Sequence, residues 1–207
     1  MVVRFTLLAL IVALASLCAL VFEASTRTAI ALTLIERAAI SPSPTVRTQI
    51  LAQAQAQLLQ SWAQPARWHA GAAEALSGVY YARGTVDSAE IDALTESARW
   101  AQHAITLSPI APNSWIRLAA LSERGIANNL CDVRTCLAHS WRAAPLLDGP
   151  SGCERLRLGY RAGLIDGADP RLKAFLRIEP RRSAAQCLSF LAPEELYALM
   201  METAGER

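Results

Sequence analysis

The run from Phe5 to Phe22, FTLLALIVALASLCALVF, carries no charge and is flanked by Arg4 and Glu23. A run of this kind constrains the chain more than any other feature in it. Eighteen residues at about 1.5 Å each make a helix of about 27 Å, close to the roughly 30 Å hydrocarbon core of a bilayer. Eleven of the eighteen are Leu, Ile, Val or Phe. At roughly −0.3 to −0.6 kcal/mol each they supply about −3 to −7 kcal/mol toward insertion. Thr6 and Ser16 subtract little. The sequence therefore predicts a transmembrane segment.

The competing reading is a cleaved signal peptide. No small-x-small site follows the run: Phe22-Glu23-Ala24 and Leu17-Cys18-Ala19 both place a bulky residue where a small one is needed. Leu17 also makes a lipid-modified Cys18 a poor fit. The expectation is an uncleaved signal anchor over residues 1–24, touching the membrane through residues 5–22. A membrane-proximal helix and proline break (25–44) and a helical domain (45–207) follow. The amino terminus and Arg4 precede the span, against Glu23 and then Arg27 after it, so the amino terminus is expected in the cytoplasm and the domain outside. Nineteen of the twenty basic residues are arginine, Lys173 being the lone lysine; with the many alanines this points to a GC-rich bacterial genome. The expected location is the bacterial inner membrane, with the domain in the periplasm.

Cys131, Cys136, Cys153 and Cys187 lie beyond the span. An even count fits an oxidising compartment, and four cysteines allow three pairings. Cys131–Cys136 with Cys153–Cys187 is the first choice on sequence proximity alone. Four unpaired core thiols are the other reading.

Helical spacing dominates the rest. Ile30/Leu34 and Ala31/Ile35 extend it past the membrane, until Ser41-Pro42-Ser43-Pro44 breaks it. A stripe of Ile50, Ala54, Leu58 and Trp62 predicts a helix over about 46–62. Pro65, Pro112 and Pro150 each stand three residues before Trp68, Trp115 and Cys153, and the last two segments end at Gly125 and Gly163. Proline suits a helix start and glycine its end. Partner helices are expected at 86–107, opened by Asp87 and Ser88, and at 132–144. Leu172, Phe175 and Leu176 predict another helix in the tail, and Pro193-Glu194-Glu195 the start of a last one. Alternating helices with regular breaks are the grammar of an α-solenoid, and the fold class is all-α.

Ala104-x4-Pro109-x5-Trp115-x2-Leu118-Ala119 resembles the join between two tetratricopeptide repeats. In that family small residues let two helices approach, proline ends one helix and tryptophan begins the next. The resemblance spans roughly residues 65–165 and implies a degenerate tetratricopeptide-like domain of helical hairpins. It departs from the pattern at Gly71 and Cys153, and the proline spacings of 47 and 38 differ from the family's own. Leu146-Leu147-Asp148-Gly149-Pro150, Glu154 to Leu158, and Leu191 to Glu195 are similar to segments of small anchored, repeat-like proteins associated with bacterial cell-envelope polysaccharide production.

No nucleotide-binding, nucleophile-elbow or zinc-protease signature occurs, and Cys131-x4-Cys136 lacks redox spacing. His69, His103 and His139 recur at 34 and 36 residues, each near a tryptophan, and are expected at similar helix positions too far apart for one metal ion. A net charge of +2 argues against a nucleic-acid partner. Arg155, Arg157 and Arg161 form a local basic excess with Arg177, Arg181 and Arg182. Arg157 and Arg161, with Trp68 and Trp115, are the candidate partner or anion surface; a solvated charged face and core tryptophans are the bland alternatives.

The expected function is that of a non-enzymatic scaffold or accessory protein, without cofactor or metal. It would bind protein partners in a membrane-associated complex, in cell-envelope or exopolysaccharide assembly. The alternatives are a motif-less envelope enzyme or carrier for an anionic substrate, and a structural subunit packed through Thr6, Ser16, Ala9, Ala13, Ala15 and Ala19 of the span.

Overall fold

A computed structural model describes residues 2–63, 69–86, 91–147 and 149–164. Seven helices and no strands occur among them: α1 (Val2–Ile40), α2 (Pro44–Trp62), α3 (Ala70–Val86), α4 (Ile91–Leu107), α5 (Pro112–Glu123), α6 (Val133–Ala143) and α7 (Gly149–Arg161). Pro65, Trp68, Asp87, Ser88, Cys187 and the expected tail helices lie outside the described residues. The chain forms two compact units, Met1–Leu107 and Ser108–Arg207.

In the first unit, α1 is one uninterrupted helix of 39 residues. The apolar run and the pattern around Ile30 and Leu34 are parts of the same rod, about 58 Å long. Its first part is exposed and is long and apolar enough to cross a membrane. From Thr28 onward one face turns inward: Ala31 and Ala38 are buried against Leu51, Ala54 and Leu58 of α2. Alanine on both sides brings the two backbones close. The helix stops at Ile40, where Ser41 N–H bonds to the Ala38 carbonyl and Pro42 and Pro44 prevent continuation. Ser43 then caps α2, accepting from the Val46 amide, with Pro44 in the first turn.

Polar ties hold α1 and α2 antiparallel. Near the turn, Arg47 donates to the Ser41 carbonyl. At the far end the buried hydroxyls of Thr28 and Ser61 both donate to the Ala24 carbonyl, at 2.9 and 3.0 Å. Both are buried, so each needs that acceptor. Arg27 spans the same seam, reaching Glu23 at 2.7 Å, Gln60 at 2.5 Å and Gln57 at 3.4 Å.

α3 packs on α2 through Leu76 and Val79, and Gln55 donates to the Tyr80 hydroxyl at 2.9 Å. Burial, and then the nearby Glu96 carboxylate, push the Tyr80 hydroxyl above its usual range, so it stays neutral at physiological pH. α3 and α4 meet through Ala72, Ala73, Ala98 and Ala101. At their crossing Ser77 and Ser97 exchange hydrogen bonds, each hydroxyl donating to the other's carbonyl at 2.8 Å. The boundary expected at Val86 is corrected: Val86 is the last residue of α3, whose packing through Leu76 and Val79 carries that helix on, and α4 opens at Ile91.

In the second unit, α5, α6 and α7 pack around Leu118, Leu121, Leu137, Trp141, Leu156 and Leu158. Gly159 is required by a close approach, since a Cβ there would lie 3.0 Å from the Trp141 ring. α5 ends as expected on Gly125 in the left-handed region, φ 79°. Its amide bonds to Ser122, and the Ile126 amide to Leu121, closing the last turn.

Ala31→Leu is expected to overpack the α1–α2 seam and to cost roughly 1–3 kcal/mol. Leu32→Ala, at a half-exposed position one residue on, should change stability little. Thermal unfolding in detergent followed by circular dichroism compares the two.

Candidate functional site

The residues expected to form a partner or anion surface fall mainly in the second unit, and the structure separates their roles. Trp115, on the first turn of α5, lies half-buried with its indole nitrogen donating to the Pro109 carbonyl at 2.9 Å. His139 of α6 stacks on it, ring centroids 4.4 Å apart and planes 16° from parallel. The pair forms a flat aromatic surface, held from below by helix packing and partly open to solvent.

Arg157 and Arg161 do share a face of α7, and that face meets acid. Arg157 grips Glu154 with two bonds, Nε to Oε2 at 2.8 Å and Nη2 to Oε1 at 2.7 Å. Glu123 at the end of α5 receives Arg161 at 3.4 Å and Arg157 at 3.9 Å. Two arginines and two glutamates thus neutralise one another, and each surface pair is worth at most about 1 kcal/mol. Beside them lies an open cleft of about 350 Å³, bordered by Glu123, Asp132, Arg134, Leu158 and Arg161. Arg134 turns its guanidinium to the Ala162 carbonyl, at 2.9 and 3.2 Å, at the end of α7.

Arg155 is the residue that reading by charge misplaces. It belongs to the local basic excess of the sequence, yet it is 0% exposed. Its Nη1 donates to the Ala144 carbonyl at 2.6 Å and the Ser140 carbonyl at 3.2 Å, and Nη2 to Pro145 at 3.4 Å. The guanidinium stands 5.3 Å from the centre of the Trp141 ring. A fixed positive charge therefore satisfies the carbonyls left open at the carboxyl end of α6, where the helix dipole is negative. The signal was present in the spacing: Gly152, Cys153, Leu156 and Gly159 form the buried stripe of α7, and Arg155 falls inside it.

Cys131 and Cys136 are joined as a disulfide that ties the loop before α6 to the helix's first turn. Cys153 is also disulfide-bonded; Cys187, its expected partner, lies outside the described residues. Among the described residues Cys18, exposed on the apolar half of α1, is the free thiol. Asp132 caps α6, accepting from the Thr135 hydroxyl at 2.6 Å and the Thr135 amide at 3.1 Å. These two bonds, the hydroxyl first, hold its carboxyl below the usual range.

The histidines do not occupy equivalent helix positions. His69 precedes α3, whereas His103 lies late in α4 and His139 in the middle of α6. His103 joins an aromatic group in the first unit: Trp62 and Trp100 meet edge to face at 5.0 Å, and His103 lies 5.6 Å from Trp100. No group of three or more metal-ligating side chains occurs among the described residues. No family model, no curated protein and no solved structure matches the chain.

Arg155→Met should destabilise the second unit by roughly 1–3 kcal/mol, because it strips buried carbonyls of their donor. Arg157→Ala should cost under about 1 kcal/mol. Denaturant unfolding of the two variants in detergent would show the contrast. The Asp132 cap has a pH signature. A carboxyl held low in the folded state contributes stability above its unfolded pKa and loses it as pH falls through the folded value. Stability should therefore fall as pH drops below about 4, and Asp132→Asn should flatten that part of the curve.

Proposed function

We propose that the chain is a membrane-anchored, non-catalytic scaffold or accessory protein. Its apolar helix fixes it in the inner membrane, and its helical hairpins present a surface to a protein partner. The observation that carries this reading is α1 itself. One helix is apolar and exposed over its first half and serves as core of a packed bundle over its second. Such a helix ties a folded domain to a bilayer without a linker.

Three further features support the finer parts of the proposal. The small-residue contact of α3 with α4, built on Ala72, Ala73, Ala98 and Ala101, is the kind of close helix pair that tetratricopeptide-like hairpins use. The Cys131–Cys136 disulfide and the disulfide-bonded Cys153 favour an oxidising compartment, hence a periplasmic domain and a cytoplasmic amino terminus. The Trp115–His139 stack has the half-buried aromatic character of an interface anchor, and Leu130 and Leu146 are exposed apolar side chains of the same unit. A role in envelope polysaccharide assembly is the setting this reading takes from the resemblance noted in the sequence. An anionic substrate held by Arg157 and Arg161 is the less favoured reading, since both arginines are engaged by Glu123 and Glu154.

Photo-crosslinking in living cells tests the surface. A photoreactive phenylalanine at His139 is expected to give one discrete adduct with a membrane-complex protein, and Trp115→Ala should abolish it while leaving the helical spectrum intact. Adducts with lipid or with nothing would refute the partner surface. Compartment is tested separately by thiol alkylation of the denatured, non-reduced protein. Cys18 should react at once, and Cys131 and Cys136 only after reduction.

A further inference from the structure

The ends of α2 and α4 carry a group of side chains that the partner surface leaves unused. We infer that this end of the first unit is seated in the lipid headgroup layer, with Trp62 as its interfacial contact. The inference rests on the reading of α1 as a membrane span and goes beyond it: an anchor by itself leaves the domain free to stand clear of the bilayer.

The geometry is set by where α2 stops. The last apolar residue of the charge-free run, Phe22, is 74% exposed. Ala24 follows two residues later, about 3 Å further along the helix. The Ser61 hydroxyl bonds to the Ala24 carbonyl at 3.0 Å, so α2 descends to the level at which the apolar run ends. Trp62 and Ala63 carry the chain further in the same direction. A cavity of about 240 Å³ between the two helices confirms the register, because Leu20 of the apolar run lines it together with Gln60 and Ser61. The headgroup layer on each side of the hydrocarbon is about 6 Å thick, so a helix end at this level lies within it.

The side chains at this level suit that layer. Trp62 is half-buried, packed edge-on against Trp100, with the exposed His103 beside it. Amphipathic rings of this kind concentrate at the membrane–water boundary. Arg27 and Glu23 bracket the same seam, their charges paired at 2.7 Å, and Arg27 also holds Gln60. α4 runs parallel to α2 past Trp100 and ends on the apolar Leu107, which is 36% exposed. Opposite, Ile91 starts α4 about 14 Å from Trp100 along the helix, away from the bilayer.

Spin-label depth measurements on the full chain in phosphatidylethanolamine–phosphatidylglycerol vesicles test the seating. Three positions are labelled in turn: native Cys18, and, in a Cys18→Ser background, Ala63→Cys and Ile91→Cys, both exposed in the folded unit. Collision with oxygen against a water-soluble nickel chelate reports depth. The expected order is Cys18 in the hydrocarbon, Ala63 in the headgroup layer and Ile91 in water. If Cys18 is deep while Ala63 meets nickel as freely as Ile91, the seating is overturned and the span stands. If Cys18 itself meets nickel freely, the span reading fails and the seating fails with it.

Discussion

The contact on which the first unit depends is the seam between the second half of α1 and α2. It is made from side chains too small to reach far, Ala31, Ala38 and Ala54, so the two backbones must come close for any apolar surface to be buried. Close backbones in turn bring Thr28 and Ser61 within reach of one carbonyl, that of Ala24. Packing and hydrogen bonding thus specify the same register, and a slip of one residue would lose both. Everything above the seam is placed by it: α3 against α2, α4 against α3, and the aromatic group of Trp62, Trp100 and His103 toward the end where α2 and α4 finish.

The second unit solves a different problem. Short helices leave many carbonyls and amides open at their ends. Here side chains from neighbouring helices close them. Arg155 of α7 takes the end of α6, Arg134 of α6 takes the end of α7, and Asp132 caps the start of α6. The exchange between α6 and α7 is reciprocal, so neither helix end is complete without the other. The Arg155 charge is thereby turned inward to structural use, and those of Arg157 and Arg161 are answered by Glu123 and Glu154.

This division bears on the functional proposal. An anion-binding face needs arginines whose charge is not already answered nearby, and α7 does not offer Arg157 and Arg161 in that state. What the second unit presents instead is an aromatic plane, Trp115 on His139, and it also exposes the apolar Leu130 and Leu146. Such a surface recognises shape and apolar area, which suits a protein partner better than a small charged ligand.

Much of the helical order was legible in the chain. The charge-free run, the break at Ser41–Pro44, the start at Pro112 and the glycine stops at 125 and 163 are local signals, each carried by a few neighbouring residues whose backbone preferences do not depend on distant contacts. The end of α3 was less legible, because as sequence signals Val86, Asp87 and Ser88 serve equally well to close one helix or open the next. The site was harder still. Charge counting put Arg155 in one basic excess with Arg157 and Arg161, since composition records which charges exist and tertiary structure determines what faces them. Only the fold brings Ser140, Ala144 and Pro145 round to a guanidinium ten residues and more away in the chain, sets Glu123 opposite Arg157 and Arg161, and lowers the end of α2 to the level of Ala24. Periodicity is a property of neighbours along a helix; partners across helices follow from how those helices pack.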